Sequence, residues 1–203
     1  MSKSTQIVDF TWLARPSPRV APDLLGCTLV RRFADGQVVR GTIVEAEAYG
    51  PEDPACHAYQ RRSTRNEVMF GPAGVSYVYL IYGMYHCFNV VTEGEGVASA
   101  VLIRALQLNS IPQGISWKSE KERSRLAAGP GKLCQVLQID RSLNGVPLQP
   151  DRPLWLEHRS QEFQAGVDRG AIAFVQTTRI GITKGVELPW RWYVENCAAV
   201  SKL

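Results

Sequence analysis

The strand predicted by residues 42–49 carries two carboxylates, and it constrains the fold more than any other segment of the chain. Side chains alternate between the two faces of a strand, so every second residue shares a face. The polar face is predicted to carry Ile43, Glu45, Glu47 and Tyr49, with Val44, Ala46 and Ala48 on the other. Because an unpaired buried carboxylate is costly, these acids must be solvent-facing, paired or held for chemistry.

The surrounding sequence has the pattern of a mainly β protein. Strands are predicted at 28–33, 37–49, 75–81, 85–91, 98–106, 154–157, 171–177 and 190–194, most of them joined by short turns. Short helices are predicted within 10–25 and at 132–137, an irregular loop at 50–66 and a mobile polar connection at 109–125. The sequence therefore predicts an α+β fold, with residues 1–203 forming a single domain on a curved, mostly antiparallel β-sheet flanked by short helices.

Composition limits the class of protein. The chain has 203 residues, 45% of them hydrophobic, and a formal charge of +4, which only weakly indicates a polyanionic partner. Its five cysteines are odd in number and include no C-x-x-C pair, so reduced thiols are predicted. No apolar run reaches the roughly 20 residues that cross a bilayer, and residues 1–9 lack a signal-peptide pattern. A cytoplasmic protein is predicted, nucleoid-associated if it binds DNA, without membrane contact.

Glu47 has the chemistry of a general base. Hydrolysis of a glycosidic bond uses a carboxylate to activate water or to stabilise positive charge at the anomeric carbon. The alternative is that Glu45 and Glu47 lie exposed on an edge strand, or pair with Arg31, Arg32 or Arg40. The pattern alone leaves both interpretations open.

The tyrosine-rich segment 77–85 is a candidate surface for nucleobases. Tyr77 and Tyr79 share a face in the strand pattern, and Gly83 allows a tight turn after Tyr82. Aromatic rings stack bases with a gain of about 1–3 kcal/mol each, and a ring at a turn can enter a base step. Alternatively, these residues fill the core of a sheet.

Positive charge is concentrated in the predicted loop. His57 is followed by Arg61, Arg62 and Arg65, which suits contact with a phosphate or a base. The alternative for His57 is an ordinary exposed loop histidine.

The segment 129–132, Gly-Pro-Gly-Lys, superficially resembles a phosphate-binding loop. Leu133 follows Lys132 where such a loop needs Ser or Thr, so nucleotide hydrolysis is not predicted. A glycine-led helix start with a lysine can hold a DNA phosphate, or it can be an ordinary helix start. The H-x-E and P-C-x-x-C pattern of zinc deaminases is absent, and no metal is predicted.

In their order along the chain, these segments resemble the alkyladenine (3-methyladenine) DNA glycosylase family. The resemblance rests on residues 42–53, His57, 64–66, 69–70, 77–85, Asn89, 101–105, 129–134 and 179–181. It implies a monofunctional, monomeric DNA glycosylase without a cofactor. Its partner would be duplex DNA containing damaged purines of the 3-methyladenine, 7-methylguanine, hypoxanthine and ethenoadenine type. The enzyme would flip these bases out, hydrolyse the N-glycosidic bond and leave an abasic site. A non-catalytic reader of distorted DNA and a soluble nucleoside hydrolase are the alternatives.

The resemblance also implies roles in a base pocket. Glu47 would deprotonate the attacking water, whereas Glu45 would have no catalytic role. Tyr49 and His57 would stack on one face of the flipped base and Tyr79 on the other. A further pocket residue, Asn89, would exclude guanine through its exocyclic amine.

Other residues are expected to contact DNA outside that pocket. By resemblance, Tyr82 would fill the gap left in the duplex, with Met84 beside it, and Arg104 would lie near the backbone of the flipped nucleotide. The remaining expected DNA contacts are the cations Arg61, Arg62, Arg65, Lys132 and Arg179.

Overall fold

One long strand organises the sheet in the computed structural model, which describes residues 6–202. This strand, β2 (Val38–Tyr49), pairs first with β1 (Thr28–Arg32) and then with β8 (Arg191–Val194). Its other edge pairs with β5 (Ala100–Leu108). The acid-bearing segment is therefore an interior part of the sheet, with a hydrogen-bonded neighbour on each side.

Between residues 6 and 202, eight strands form one antiparallel sheet. Its main order is β3 (Ser76–Ile81), β4 (Tyr85–Val91), β5, β2, β1 and β6 (Leu154–Glu157), and β7 (Phe174–Thr177) joins through β8. The helices are α1 (Phe10–Leu13), α2 (Ser17–Leu24), α3 (Glu120–Ser124), α4 (Pro130–Val136) and α5 (Gln161–Asp168), with short 3-10 helices at Glu67–Phe70 and Arg141–Leu143. The α+β class, with a curled antiparallel sheet and short helices, is confirmed. The expectations for a domain over 1–203 and for the N-terminal segment 1–9 reach into residues outside the described range.

Two helices differ from the sequence-based expectation. The predicted mobile connection contains α3, and α5 follows β6 where no helix was predicted. A serine caps each: Ser119 accepts a hydrogen bond from the Glu122 amide, and Ser160 accepts one from the Phe163 amide. Such caps satisfy amides that a helix start otherwise leaves unpaired, so a cap serine was the local signal for both helices.

A β-bulge in β2 changes which residues share a face. The register against β5 shifts between Ile43 and Glu45, and again before Ala46. Ile43 consequently packs in the same buried cluster as Ala48, whereas Val44 belongs to a separate cluster. The prediction that Ile43 shares the face of the two acids is wrong, because the extra residue of a bulge interrupts strict alternation.

The main core lies between the sheet and two helices. It combines apolar side chains of β2, β4 and β5 with those of α2 and α4. A second buried cluster contains Met69 and Tyr77, and the partly buried rings of Tyr49 and Tyr79 pack against it. This second cluster supports the aromatic side chains that the sequence had marked as functional. None of the helices between residues 6 and 202 has both the length and the apolar character needed to cross a bilayer.

Candidate active site

A cavity of about 730 Å³ lies among β2, β3, β4, β5, the loop 50–66, α4 and the segment 180–184. Its volume is typical of a small-molecule site, since such pockets measure about 300–1,000 Å³. Seven of the predicted site residues line it, namely Tyr49, His57, Tyr79, Tyr82, Asn89, Arg104 and Lys132. The structure thus brings together side chains that are up to 83 positions apart in the sequence.

Glu47 lies directly behind the wall of this cavity and is fully buried. Its Oε1 accepts a hydrogen bond from the backbone N–H of Ile180 at 2.8 Å and lies 3.1 Å from Nη1 of Arg104. Its Oε2 accepts a hydrogen bond from the Tyr49 hydroxyl at 2.8 Å. Because all three partners line the cavity, they hold the carboxylate next to the space that a ligand would occupy.

The interpretation of the two acids as surface residues is wrong. Glu45 is fully buried as well, and its charge partners are Arg104 and Arg191. Arg40, one of the expected partners, instead pairs with Glu157 on β6. The partners are brought in by β5 and β8, which the local sequence around the acids does not contain.

The side of the cavity formed by loop 50–66 and β3 is aromatic. Nδ1 of His57 lies 3.0 Å from the Tyr77 hydroxyl, and the imidazole packs edge-on against Tyr79 with 4.5 Å between ring centroids. Burial raises the pKa of Tyr77 to about 12, so its phenol stays protonated and can donate to His57. Desolvation by surrounding protein, and then the charge of Arg65, lowers the pKa of His57. The imidazole is therefore neutral at neutral pH.

The contact between His57 and Tyr79 differs from the arrangement that the resemblance implies. Stacked bases are spaced about 3.4 Å apart, so a base held between two rings separates them by about 7 Å. His57 and Tyr79 touch each other and enclose no such gap. The sandwich is not preformed, and the His57 ring must move before a base can lie between the two.

Tyr49 and Asn89 are held firmly in the cavity wall. The guanidinium of Arg179 lies over the Tyr49 ring, with 4.7 Å from Cζ to the centroid. Burial, followed by the charge of Glu47, raises the pKa of Tyr49, so its hydroxyl remains a donor. The buried amide of Asn89 donates from Nδ2 to the Tyr77 carbonyl at 3.0 Å, which fixes its orientation at the cavity.

Tyr82 and Met84 protrude from the turn between β3 and β4. Their exposed fractions are 79% and 67%, and Tyr82 adopts a φ of 52° that non-glycine residues rarely adopt. Leu80 and Tyr85 beside them are also exposed. Tyr82 reaches the mouth of the cavity as well. Exposed apolar clusters of this kind are typical of binding surfaces.

The cations expected to contact DNA differ in the exposure of their side chains, and most of them are exposed. The exposed cations are Arg61, Arg62, Arg65 and Lys132. Arg62 also donates to Glu67 at 2.9 Å. Lys132 lies on the cavity wall at the start of α4.

The structure contradicts the expectation that Arg179 contacts DNA. Its side chain is fully enclosed, forms an ion pair with Asp53 and donates to the Ala48 carbonyl at 2.9 Å. A guanidinium without exposed surface cannot reach a phosphate, so Arg179 braces Tyr49 and the segment around it. Arg104, expected near the nucleotide backbone, is nearly buried and holds Glu47 behind the cavity wall.

Several residues of the cavity have no role in the expected base pocket. Tyr77 belongs to the aromatic surface predicted from strand periodicity, but no place in the pocket is assigned to it. Met69, Leu102, Ile180 and Gly181 lie in segments that carry the resemblance, and only the tertiary fold brings them to the cavity, together with residues 182–184.

The sequence of this chain is similar to those of known proteins that all belong to one family. The family model for methylpurine-DNA glycosylase matches residues 11–198. A relative from Trichodesmium erythraeum, provisionally named a 3-methyladenine DNA glycosylase, is 58% identical over 98% of this chain and 99% of its own length. A relative from Synechococcus sp. with the same provisional name is 57% identical over 94% of this chain and 96% of its own. One from Herpetosiphon aurantiacus, also so named, is 44% identical over 97% and 89%.

Proposed function

We propose that this chain, which belongs to the methylpurine-DNA glycosylase family, flips alkylated or deaminated purines out of duplex DNA and hydrolyses their N-glycosidic bonds. Membership confirms the resemblance seen in the sequence and makes the chain a DNA glycosylase, a hydrolase of N-glycosyl bonds in the repair of damaged DNA. It is thus an enzyme and not a non-catalytic reader. The flipping step and the range of substrates belong to the proposal.

The observation that carries the proposal is the position of Glu47. A carboxylate held by Arg104, Tyr49 and the Ile180 amide lies directly behind an aromatic cavity that is large enough to admit a purine base. A buried carboxylate with fixed orientation suits a general base, because its basic oxygen does not have to be reoriented during the reaction.

The buried position of Glu47 is the reason for proposing that the base is flipped out of the duplex. A base inside the duplex is inaccessible to Glu47, so it must leave the stack before the reaction. Tyr82 and Met84 are exposed at the cavity mouth and on the adjoining turn, where an inserted ring can replace the lost stacking. Damaged or mispaired bases unstack at lower cost, which contributes to selectivity.

Recognition would depend on the aromatic side chains. Alkylated purines such as 3-methyladenine are cationic and are attracted to electron-rich rings. Tyr49 and Tyr79 remain neutral phenols because burial raises the pKa of both. The base would displace His57 from Tyr79 and stack there, while Asn89 at the cavity wall would discourage guanine.

In the hydrolytic step, water attacks the anomeric carbon as the glycosidic bond breaks. The water proton passes to Glu47, the new C–O bond forms at the sugar, and the electron pair of the broken C–N bond leaves with the base. A cationic base leaves as a neutral molecule. Hypoxanthine, which is neutral, requires a proton on the leaving group.

The proposal is tested by single-turnover base release. Duplexes carry hypoxanthine, a methylated purine or undamaged purine, and the matching free nucleosides are assayed in parallel. The damaged duplexes are expected to yield free base and an abasic site, with affinity falling steeply as salt rises. Equal turnover of free nucleosides, without salt dependence, would instead indicate a nucleoside hydrolase. The monomeric state and the cytoplasmic, nucleoid-associated location remain predictions.

A further inference from the structure

A second acid, Glu45, lies behind the proposed catalytic base in a buried network. Its Oε1 accepts hydrogen bonds from Nε of Arg104 at 3.0 Å, Nε of Arg191 at 2.8 Å and the Ser201 hydroxyl at 2.9 Å. Its Oε2 accepts one from the Ser201 backbone N–H at 2.7 Å. With four hydrogen bonds on its two oxygens, Glu45 is committed to these partners.

The network contains two acids and two guanidinium groups with almost no exposure. The side chains of Glu45 and Glu47 are completely buried, and those of Arg104 and Arg191 are 8% and 5% exposed. Charges interact strongly at low exposure, and removing one member leaves its partner uncompensated. The positions of the four groups are therefore interdependent.

Arg104 connects the two acids. It binds Glu45 through Nε and Glu47 through Nη1, which lies 3.1 Å from Oε1. A guanidinium is planar and rigid, so fixing Nε on one carboxylate determines where Nη1 points. Glu45 thereby controls the contact that orients Glu47.

The far side of the network is closed by the segment 198–202. Ser201 supplies two of the hydrogen bonds to Glu45, and Arg191 donates to the Lys202 carbonyl. Arg125, just after α3, fastens the same segment through the Ala198, Val200 and Ser201 carbonyls at 3.0, 3.3 and 3.1 Å. The segment is thus packed onto the back of the proposed catalytic centre.

We propose that Glu45 is a positioning residue of the glycosylase reaction: with Ser201 it clamps Arg104 against Glu47, so that segment 198–202 forms part of the active-site support. This inference depends on the proposed role of Glu47 as the base. It departs from the expectation that Glu45 has no part in the reaction. Glu45 does not line the cavity, and it acts through Arg104.

The first test separates chemistry from binding. Glu45→Gln is assayed for base release at saturating enzyme, for affinity towards damaged duplex and for melting temperature. We expect the saturated rate to fall about tenfold to a hundredfold, because small misplacements of a reacting group have effects of that size. DNA affinity is expected to stay within about threefold, since no DNA contact is lost. The matched control is Glu157→Gln, a buried, Arg-paired glutamate on β6 that should keep the wild-type rate.

The second test asks whether Glu45 acts through Arg104. Glu45→Gln is combined with Arg104→Met and assayed on a 7-methylguanine duplex, whose weakened glycosidic bond keeps slow variants measurable. If Glu45 only positions Arg104, it changes the rate of the Arg104→Met protein by less than about twofold. Equal losses in both backgrounds, or no loss with Glu45→Gln alone, overturn the inference.

A milder variant keeps the test available if Glu45→Gln does not fold. Ser201→Ala removes one hydrogen bond to Glu45 and is expected to lower the saturated rate about threefold or more, again only when Arg104 is present. An unchanged rate overturns the inference. Failure of the proposed role of Glu47 can be distinguished from failure of this inference, because Glu47→Gln would then release base as fast as the wild type.

Discussion

Tyr49 donates a hydrogen bond to Oε2 of Glu47 at 2.8 Å, so the ring expected to stack on the substrate also orients the proposed base. The phenol is a donor over the whole physiological range, because burial and then Glu47 raise its pKa. Stacking and orientation are two separable contributions of one side chain.

Tyr49→Phe is expected to separate those contributions. The ring remains for stacking, so affinity for damaged duplex should stay within about twofold. Loss of the hydrogen bond to a charged group should lower the saturated rate of base release about tenfold. Single-turnover kinetics and an equilibrium binding titration measure the two effects. A variant that keeps its rate but loses affinity would show that the hydroxyl does not orient Glu47.

Tyr82→Ser should weaken binding to damaged duplex without changing the fold. The exposed ring has few protein contacts to lose, whereas stacking in the duplex is worth about 1–3 kcal/mol. We expect affinity to fall about tenfold or more, with an unchanged melting temperature. Phe10→Ser, which removes another exposed ring on α1, is the control and should leave affinity unchanged. Equal affinities for Tyr82→Ser and wild type would contradict insertion into the duplex.

The charge on His57 should affect cationic and neutral bases differently. As pH falls through its lowered pKa, the imidazole becomes charged and repels a cationic purine, but not hypoxanthine. Binding is measured in Glu47→Gln protein to prevent cleavage. From pH of about 7 to about 5, the preference for the cationic base should decline, and His57→Asn should abolish the decline. The midpoint of the decline should lie below the ordinary pKa of 6.5 for histidine. Identical pH profiles with and without His57 would contradict this role.

The exposed and the buried cations should respond differently to substitution. Arg65→Gln or Lys132→Gln should each reduce the slope of log affinity against log salt by about 1, as expected for one lost phosphate contact. Arg179→Gln should instead lower stability by about 3 kcal/mol, because it leaves Asp53 buried and unpaired. Salt titrations and denaturant unfolding measure these effects. If Arg179→Gln reduced the slope of log affinity against log salt and left stability unchanged, Arg179 would instead be a DNA contact.

Local pattern was sufficient for much of the fold and for the site's main elements. Alternation located β2 to β5 to within a few residues, and Gly83 located the turn that exposes Tyr82. These features depend on neighbours in the sequence, which periodicity and turn chemistry describe. The resemblance assigned four residues to a base pocket, Tyr49, His57, Tyr79 and Asn89, and all four line the cavity.

The features that could not be predicted from the sequence depend on residues that are distant along the chain. The bulge that moves Ile43 to the core results from the pairing of β2 with β5, and no residue type in β2 indicates it. Burial of Glu45 is possible only because Arg104 and Arg191 arrive from other strands. Arg179 looked like a surface cation for the same reason, since its partner Asp53 lies 126 residues away in the chain.

The most direct measurement of the central claim is the rate of base release by Glu47→Gln bound at saturation to duplex containing a damaged purine. If Glu47 is the base, the variant should bind the duplex within a few-fold of the wild-type affinity and release base at least about a thousandfold more slowly. Release at the wild-type rate from that saturated complex would contradict the assignment.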